Sequence, residues 1–359
     1  MVTAYRRWAC GLLAGVLVLL IAAGAVVWAA DPCFYLRLPE GGKAVAFNER
    51  YQNAGLARQA QADTVVLGTS MVANYRPSQI AEVFGGSAVR LTVPDGYLSE
   101  FDTTLEAVFA AHPPERVIFG LDPNILVRSV EEAPDQLPAY LYDTNPWNDS
   151  PYLLNKDVLV RALYVVREKA AGNTQALQDA FVWDGNVFFS KELALAGYQR
   201  PEAEDTVLPE DAFFDICDEN LAVVETWLTE HPDTEFIFYY SPYSIWDKME
   251  RQGRTDAMFA VLKHATEALL AYDNVKIQCF LTDIDIITDL DNYADHIHVA
   301  GRVTWKMSKA MAGTEHLLTL ENYEAKLDAL REYVVNYDYD KFWDDYYWYQ
   351  FHTPAGAKT

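Results

Sequence analysis

The sequence predicts an α/β fold: a three-layer sandwich around a central parallel sheet, with an insertion over one edge and one apolar helix at the N-terminus. Three observations predict it. Short β-branched runs alternate with helix-like stretches through most of the 359 residues. Apolar residues make up 51% and aromatics 13%, enough for a sizeable core and too many for wholesale disorder. From Trp8 to Ala30 there are 23 residues without a charge, above the roughly 20 that span a bilayer as a helix.

Arg6 and Arg7 precede that run and Asp31 follows it. The positive-inside rule then puts residues 1–7 in the cytoplasm, 8–30 in the membrane and the remainder outside. A cleaved signal peptide is the rival, with Val27-Trp28-Ala29 as a cleavage site, although signal h-regions usually run about 7–15 residues. Both versions export the rest of the chain. Residues 31–62 read as a juxtamembrane segment, 63–320 as the α/β domain and 321–359 as a C-terminal helix and aromatic tail.

Residues 63–68, Asp-Thr-Val-Val-Leu-Gly, form a continuous apolar run suited to a parallel strand covered on both faces. Pro77 and Ser78 open a helix that Gly85-Gly86 ends. A strand at 88–93, a helix at about 99–111 and a strand at 116–121 follow. The alternation resumes with helix 218–230, strand 235–240, helix 246–271, strand 275–280 and a helix at roughly 299–312. Between about 128 and 215 the rhythm breaks, apart from a helical-looking 156–170, and this insertion is expected to cap the active-site edge. In such sheets the ligand lies beyond the carboxyl ends of the strands, the edge that would carry Ser70, Gly96 and Asp122.

The charge balance, 28 basic against 52 acidic residues for a net −24, lacks the basic footprint of a nucleic-acid binder. It also argues against broad docking on an anionic membrane surface. Of the four cysteines, Cys10 lies in the apolar run; Cys33, Cys217 and Cys279 allow at most one bridge, and no C-x-x-C occurs.

Ser70 directly follows the first strand at the entrance to a turn, where its hydroxyl would face the crevice near backbone N–H groups. The candidate base is His298 in Asp295-His296-Ile297-His298. A carboxylate three residues ahead can bind one imidazole nitrogen and leave the other for the serine. Taken singly, a serine there is more often a helix cap, and D-x-x-H is more often a surface turn. Their order, at the two ends of an α/β alternation, is more informative.

VVLGTSM near the start and DHIHVAG near the end resemble the first and last blocks of SGNH/GDSL hydrolases. ADPCFYL, RYQNAGLARQ and YLYDTNPWND resemble a clostridial-type group of membrane-anchored SGNH-like proteins. More distantly the chain is similar to the extracytoplasmic O-acyltransferase proteins of lipoteichoic acid and alginate modification. The resemblance implies a flavodoxin-like, SGNH-type sandwich. It also implies Ser70 as nucleophile, His298 as general base and acid, and Asp295 as its orienter. Gly96 stands in the place of the oxyanion-hole glycine. The family's Gly-x-Asn-Asp block falls at Gly120-Leu-Asp-Pro-Asn124, so Asp122 stands where the asparagine donor is expected. An ionised carboxylate cannot donate, which leaves Asn124 or the Ser70 and Gly96 N–H groups to form the hole. Thr69 replaces the usual aspartate before the serine, and Val72 stands where the elbow G-x-S-x-G needs glycine.

Asp122, Ser241 and Tyr243 are candidate substrate contacts, although Ser241-Pro-Tyr-Ser244 is equally readable as a turn. Trp147, Trp183 and Tyr142 are candidate sugar-stacking residues; the tail aromatics are more often packing. Asp283, Asp285, Asp289 and Asp291 lack the glycine turn and terminal glutamate of a calcium loop. No metal and no cofactor is expected. The expected function is a serine esterase or O-acyltransferase acting on acyl esters, chiefly acetyl, of a cell-envelope or secreted glycan. A membrane acyltransferase is a candidate partner and no nucleic acid is expected. A non-catalytic partner in a polysaccharide assembly complex is the alternative. A metal-dependent phosphoesterase using Asp295, His296 and His298 is a third reading.

Overall fold

Five short apolar runs of the sequence become five parallel strands of one sheet, and a sixth strand closes its edge. The computed structural model describes residues 2–130, 137–143, 150–196, 198, 200, 206–246 and 252–352. The strands of the main sheet are β1 (Thr64–Gly68), β2 (Ala88–Thr92), β3 (Arg116–Gly120), β4 (Glu235–Tyr240), β5 (Val275–Cys279) and β6 (Leu317–Leu318). Their spatial order is β2-β1-β3-β4-β5-β6, all parallel except β6, which runs antiparallel to β5. β1 is an interior strand, pairing Thr64 with both Ala88 and Arg116. Its Val65, Val66 and Leu67 are buried, which explains an apolar run without alternation.

The chain leaves β1 for β2 on one side and returns to β3 on the other. Right-handed crossovers therefore put the helix Pro77–Phe84 on one face and Leu98–Ala111, Phe214–Glu230 and Thr255–Leu269 on the opposite face. Helix Gly301–Met311 packs beside Pro77–Phe84, and Tyr323–Val335 beside Thr255–Leu269. The result is a mixed α/β, three-layer arrangement whose reversal of strand order lies between β1 and β3. Crevices at such reversals, beyond the carboxyl ends of the strands, are where ligands bind in open α/β sheets.

Several expectations need revision. The segment read as merely juxtamembrane contains a helix, Glu49–Gln59, capped by the Asn48 side chain accepting from Tyr51 N at 3.2 Å. Its buried face carries two amides beside Ala54, Leu56 and Ala57: that of Gln52 donates to the Pro32 and Val45 carbonyls, and that of Asn53 to Thr92 O. No apolar period advertises such a helix. The helix expected at 246–271 runs Thr255–Leu269 after a turn at Gln252–Arg254, with 247–251 outside the described residues. The tail forms a helix, Tyr339–His352, and its Trp343 ring packs 5.2 Å from that of Trp246. No disulfide joins the cysteines; Cys33, Cys217 and Cys279 are buried.

The insertion divides in two. Helices Ser150–Leu154 and Lys156–Ala170 pack on the N-terminal helix Val2–Ala30, while residues around 183–190 reach the His298 loop. That second part lies over the expected edge. The helix from Thr3 to Ala30 is long and apolar enough to cross a membrane.

Candidate functional site

β1 delivers the chain to a tight 3-10 turn, Ser70–Val72, at the carboxyl edge of the sheet. Close packing demands Gly68 at the strand end, because a Cβ there would stand 2.7 Å from Val72 Cγ1. Thr69 is extended and caps the turn, its hydroxyl oxygen accepting from Met71 N at 3.3 Å. The same hydroxyl donates to the Asp122 carboxylate beyond β3. Ser70 is thereby fixed between β1 and β3 with its side chain partly exposed.

The opposing group arrives from residues 293–299. This loop folds back on itself through a bridge between Tyr293 and Val299, with Ala294 N donating to His298 O at 3.0 Å. One Asp295 carboxylate oxygen accepts from the N–H groups of Ile297 and His298 at 2.9 and 2.8 Å; the other meets His298 Nδ1 at 2.6 Å. Burial alone raises the Asp295 carboxyl, but the hydrogen bond and charge of His298 with the two N–H groups outweigh it and hold the group at about 2. An ionised carboxylate only accepts, so Nδ1 carries the proton and Nε2 presents a lone pair. That nitrogen lies 2.7 Å from Ser70 Oγ. Three residues separated by up to 228 positions thus form one chain, hydroxyl to imidazole to carboxylate.

A further set of residues places the imidazole. Buried Asn74 donates to Val299 O at 2.8 Å, while its carbonyl accepts from Trp183 N and Asp184 N at 2.9 and 3.1 Å. The Trp183 ring lies 4.3 Å from that of His298, centroid to centroid. The Asp184 carboxylate accepts from Gly301 N at 2.8 Å, at the start of helix Gly301–Met311, where a negative group suits the helix dipole. A Cβ on Gly301 would overlap that carboxylate. Sequence reasoning missed Asn74 and Asp184. Their roles depend on partners more than 100 residues away, and no local spacing announces them.

Other sequence candidates fall elsewhere. Asp122 is 1% exposed and is occupied with Thr69, so it supports the serine turn and does not face a substrate. Ser241 and Tyr243 are also buried, in a turn where Tyr243 N donates to Ser241 O at 2.8 Å. Gly96 N–H is engaged with Val93 O at 3.0 Å, and its missing Cβ makes room for Phe101 Cζ. It presents no donor to the crevice in this conformation. Asn124 lies in the short helix Pro123–Leu126, partly exposed. Tyr142 is buried and donates to Arg50 O at 2.7 Å, which removes it as a stacking surface; Trp147 lies outside the described residues. The His296 ring packs toward Tyr198, 5.4 Å away, and its carbonyl accepts from the Ser244 hydroxyl at 2.6 Å. Among the described residues, no three His, Cys, Asp or Glu side chains converge as metal ligands. Asp283 instead pairs with Lys306, and Asp291 accepts from Lys191 N.

No protein-family model matches the chain, and no curated protein matches it. Among solved structures it is similar to one described as "a putative platelet activating factor from Streptococcus pneumonia", at 11% identity. The match covers 74% of this chain and 88% of that one, with a TM-score of 0.36. A likeness that distant carries no activity across.

Proposed function

We propose that the chain is an SGNH-type serine esterase or O-acyltransferase, held outside the cytoplasm by its N-terminal helix and acting on acyl esters of an envelope or secreted glycan. The observation that carries this reading is the Ser70 Oγ to His298 Nε2 distance of 2.7 Å, with Nδ1 held by Asp295. Ser70 Oγ attacks the acyl carbon while its proton passes to Nε2. Collapse of the tetrahedral adduct expels the alkoxide, which takes that proton and leaves an acyl-serine. Water then regenerates the serine and releases the acid; a sugar hydroxyl in its place gives a transferred ester. Asp295 stabilises the imidazolium and fixes its tautomer. The helix Val2–Ala30 supports an anchored enzyme with an envelope substrate, and Arg6 and Arg7 ahead of it support an extracytoplasmic domain.

A second reading, a non-catalytic partner in a polysaccharide complex, is favoured by one observation: the Gly96 N–H expected in the oxyanion hole is engaged with Val93 O. Losing one such donor costs about 10²–10³ in rate. Labelling of the full chain in detergent by a fluorophosphonate separates the two readings, run beside Ser70→Ala and His298→Ala and paired with hydrolysis of a small acetyl ester. Labelling that needs both residues supports the enzyme. A folded wild-type chain that neither labels nor hydrolyses the ester better than Ser70→Ala supports the partner.

A further inference from the structure

The N-terminal helix and the insertion meet at a definable depth. Exposed tryptophans, Trp8 and Trp28, mark the two ends of the bare apolar stretch. Twenty helical residues separate them, about 30 Å, which is the thickness of a hydrocarbon core. Tryptophans at such ends sit at headgroup level. Arg37 reinforces the upper boundary: its guanidinium lies 5.0 Å from the Trp28 ring centroid and donates to the Trp28 and Ala29 carbonyls.

Contact with the rest of the protein begins below that boundary. Ala23, Gly24, Val26, Val27 and Ala30 are the covered positions at this end of the helix, and they share one face. At Gly24 the Leu153 carbonyl and the Leu154 side chain come close enough for an added Cβ to touch both at 3.8 Å. Gly24 lies four residues, about 6 Å, beneath Trp28 along the axis. Leu154 therefore sits on the lipid side of the tryptophan level.

Helix Lys156–Ala170 continues from there. It buries Val158, Ala162 and Val165. On its other side it exposes Val160, Leu163, Tyr164 and Val166, large apolar side chains that, like Leu154, are open to the surroundings. Lys156, Arg167 and Lys169 are exposed at its ends, where long cationic side chains can reach up to headgroups from an apolar surface.

We propose that helices Ser150–Leu154 and Lys156–Ala170 dip into the outer headgroup and acyl boundary of the membrane that the N-terminal helix crosses. The inference rests on the anchor reading above. The contact is apolar, consistent with a chain of net charge −24, and the Leu154 level, about 6 Å beneath Trp28, falls within the roughly 5–10 Å to which interfacial helices sink. A single tether would leave the α/β domain free to rotate; a second contact fixes one pose of the domain above the bilayer.

The test uses the full chain in phosphatidylcholine nanodiscs carrying a nitroxide near the top of the acyl chain. A fluorophore is placed by Leu163→Cys, or by Leu320→Cys beside β6 at the far edge of the sheet, each in a Cys10→Ser background. A third sample carries it on native Cys10, exposed on the helix. The expected result is strong quenching at Cys10 and quenching at position 163 about twofold or more beyond that at 320. Equal quenching at 163 and 320 with Cys10 quenched overturns the surface contact and leaves the anchor standing. Absence of quenching at Cys10 removes the anchor and this proposal with it.

Discussion

The two halves of the candidate site are held by different physics. Ser70 stands on a turn that grows from β1, a buried interior strand of the sheet, and it inherits the rigidity of that strand. His298 stands on an irregular loop kept in place by polar contacts: Asp295 to two N–H groups, Asn74 to Val299 O, the Ser244 hydroxyl to His296 O. A packed strand is held by many apolar contacts at once. A loop held by a few satisfied polar groups loses a large share of its support with any one of them, since each group left behind pays its full desolvation cost.

The largest effects test whether the two halves act as one device. Under the acyl-transfer proposal, Ser70→Ala and His298→Ala each lower ester hydrolysis by about 10⁶-fold, with little further loss in the double variant. Losses that multiply would break the unit. Asp295→Asn leaves the loop able to fold but removes the acceptor that fixes the tautomer, and should lower the rate by about 10⁴-fold. It also has a stability signature. The folded carboxyl titrates at about 2, below its ordinary 3.8. Its contribution is therefore complete above pH 3.8 and is lost as pH falls through about 2. Acid unfolding followed by circular dichroism should show that Asp295→Asn destabilises the protein at pH 7 and that its difference from wild type shrinks below pH 3.8.

The same contrast explains what the sequence made legible. β1 and the helix Pro77–Phe84 were readable because they are written locally, in a β-branched run ending at Gly68 and in a proline start with a glycine stop. The Asp295 and His298 pair was readable because three residues bring carboxylate and imidazole to one turn. Asn74, Asp184 and the placement of Trp183 were not, because each joins the turn after β1 to the insertion across more than 100 residues. Asp122 was misread for a related reason. Its neighbour is Thr69, across two strands, and only the sheet order β1-β3 brings the carboxylate under the serine turn. The polar helix Glu49–Gln59 escaped because its buried amides are satisfied by distant carbonyls.

Intermediate effects sharpen the contrast. Thr69→Val removes one donor from a buried carboxylate on the strand side and should cost about 1.5–3 kcal/mol. Asn74→Ala removes one donor and one acceptor on the loop side and strands two N–H groups and a carbonyl. It should cost about 2–4 kcal/mol. Urea unfolding would rank them; a Thr69→Val variant less stable than Asn74→Ala would reverse the account of which half depends on polar satisfaction.

The smallest effect belongs to Trp183, an aromatic that the insertion lays against the imidazole. Its backbone N–H is held by Asn74 regardless of the side chain, so Trp183→Ala leaves the loop connected and removes only the ring contact. An aromatic pair is worth about 0.5–1.5 kcal/mol beyond its buried area, which corresponds to a rate loss of up to about tenfold when imidazole placement is what changes. That loss should appear in kcat with KM for a small acetyl ester unchanged, and Trp183→Phe should recover most of it. A rise in KM with kcat preserved would assign the ring to substrate contact instead, as the sequence suggested for stacking on a sugar.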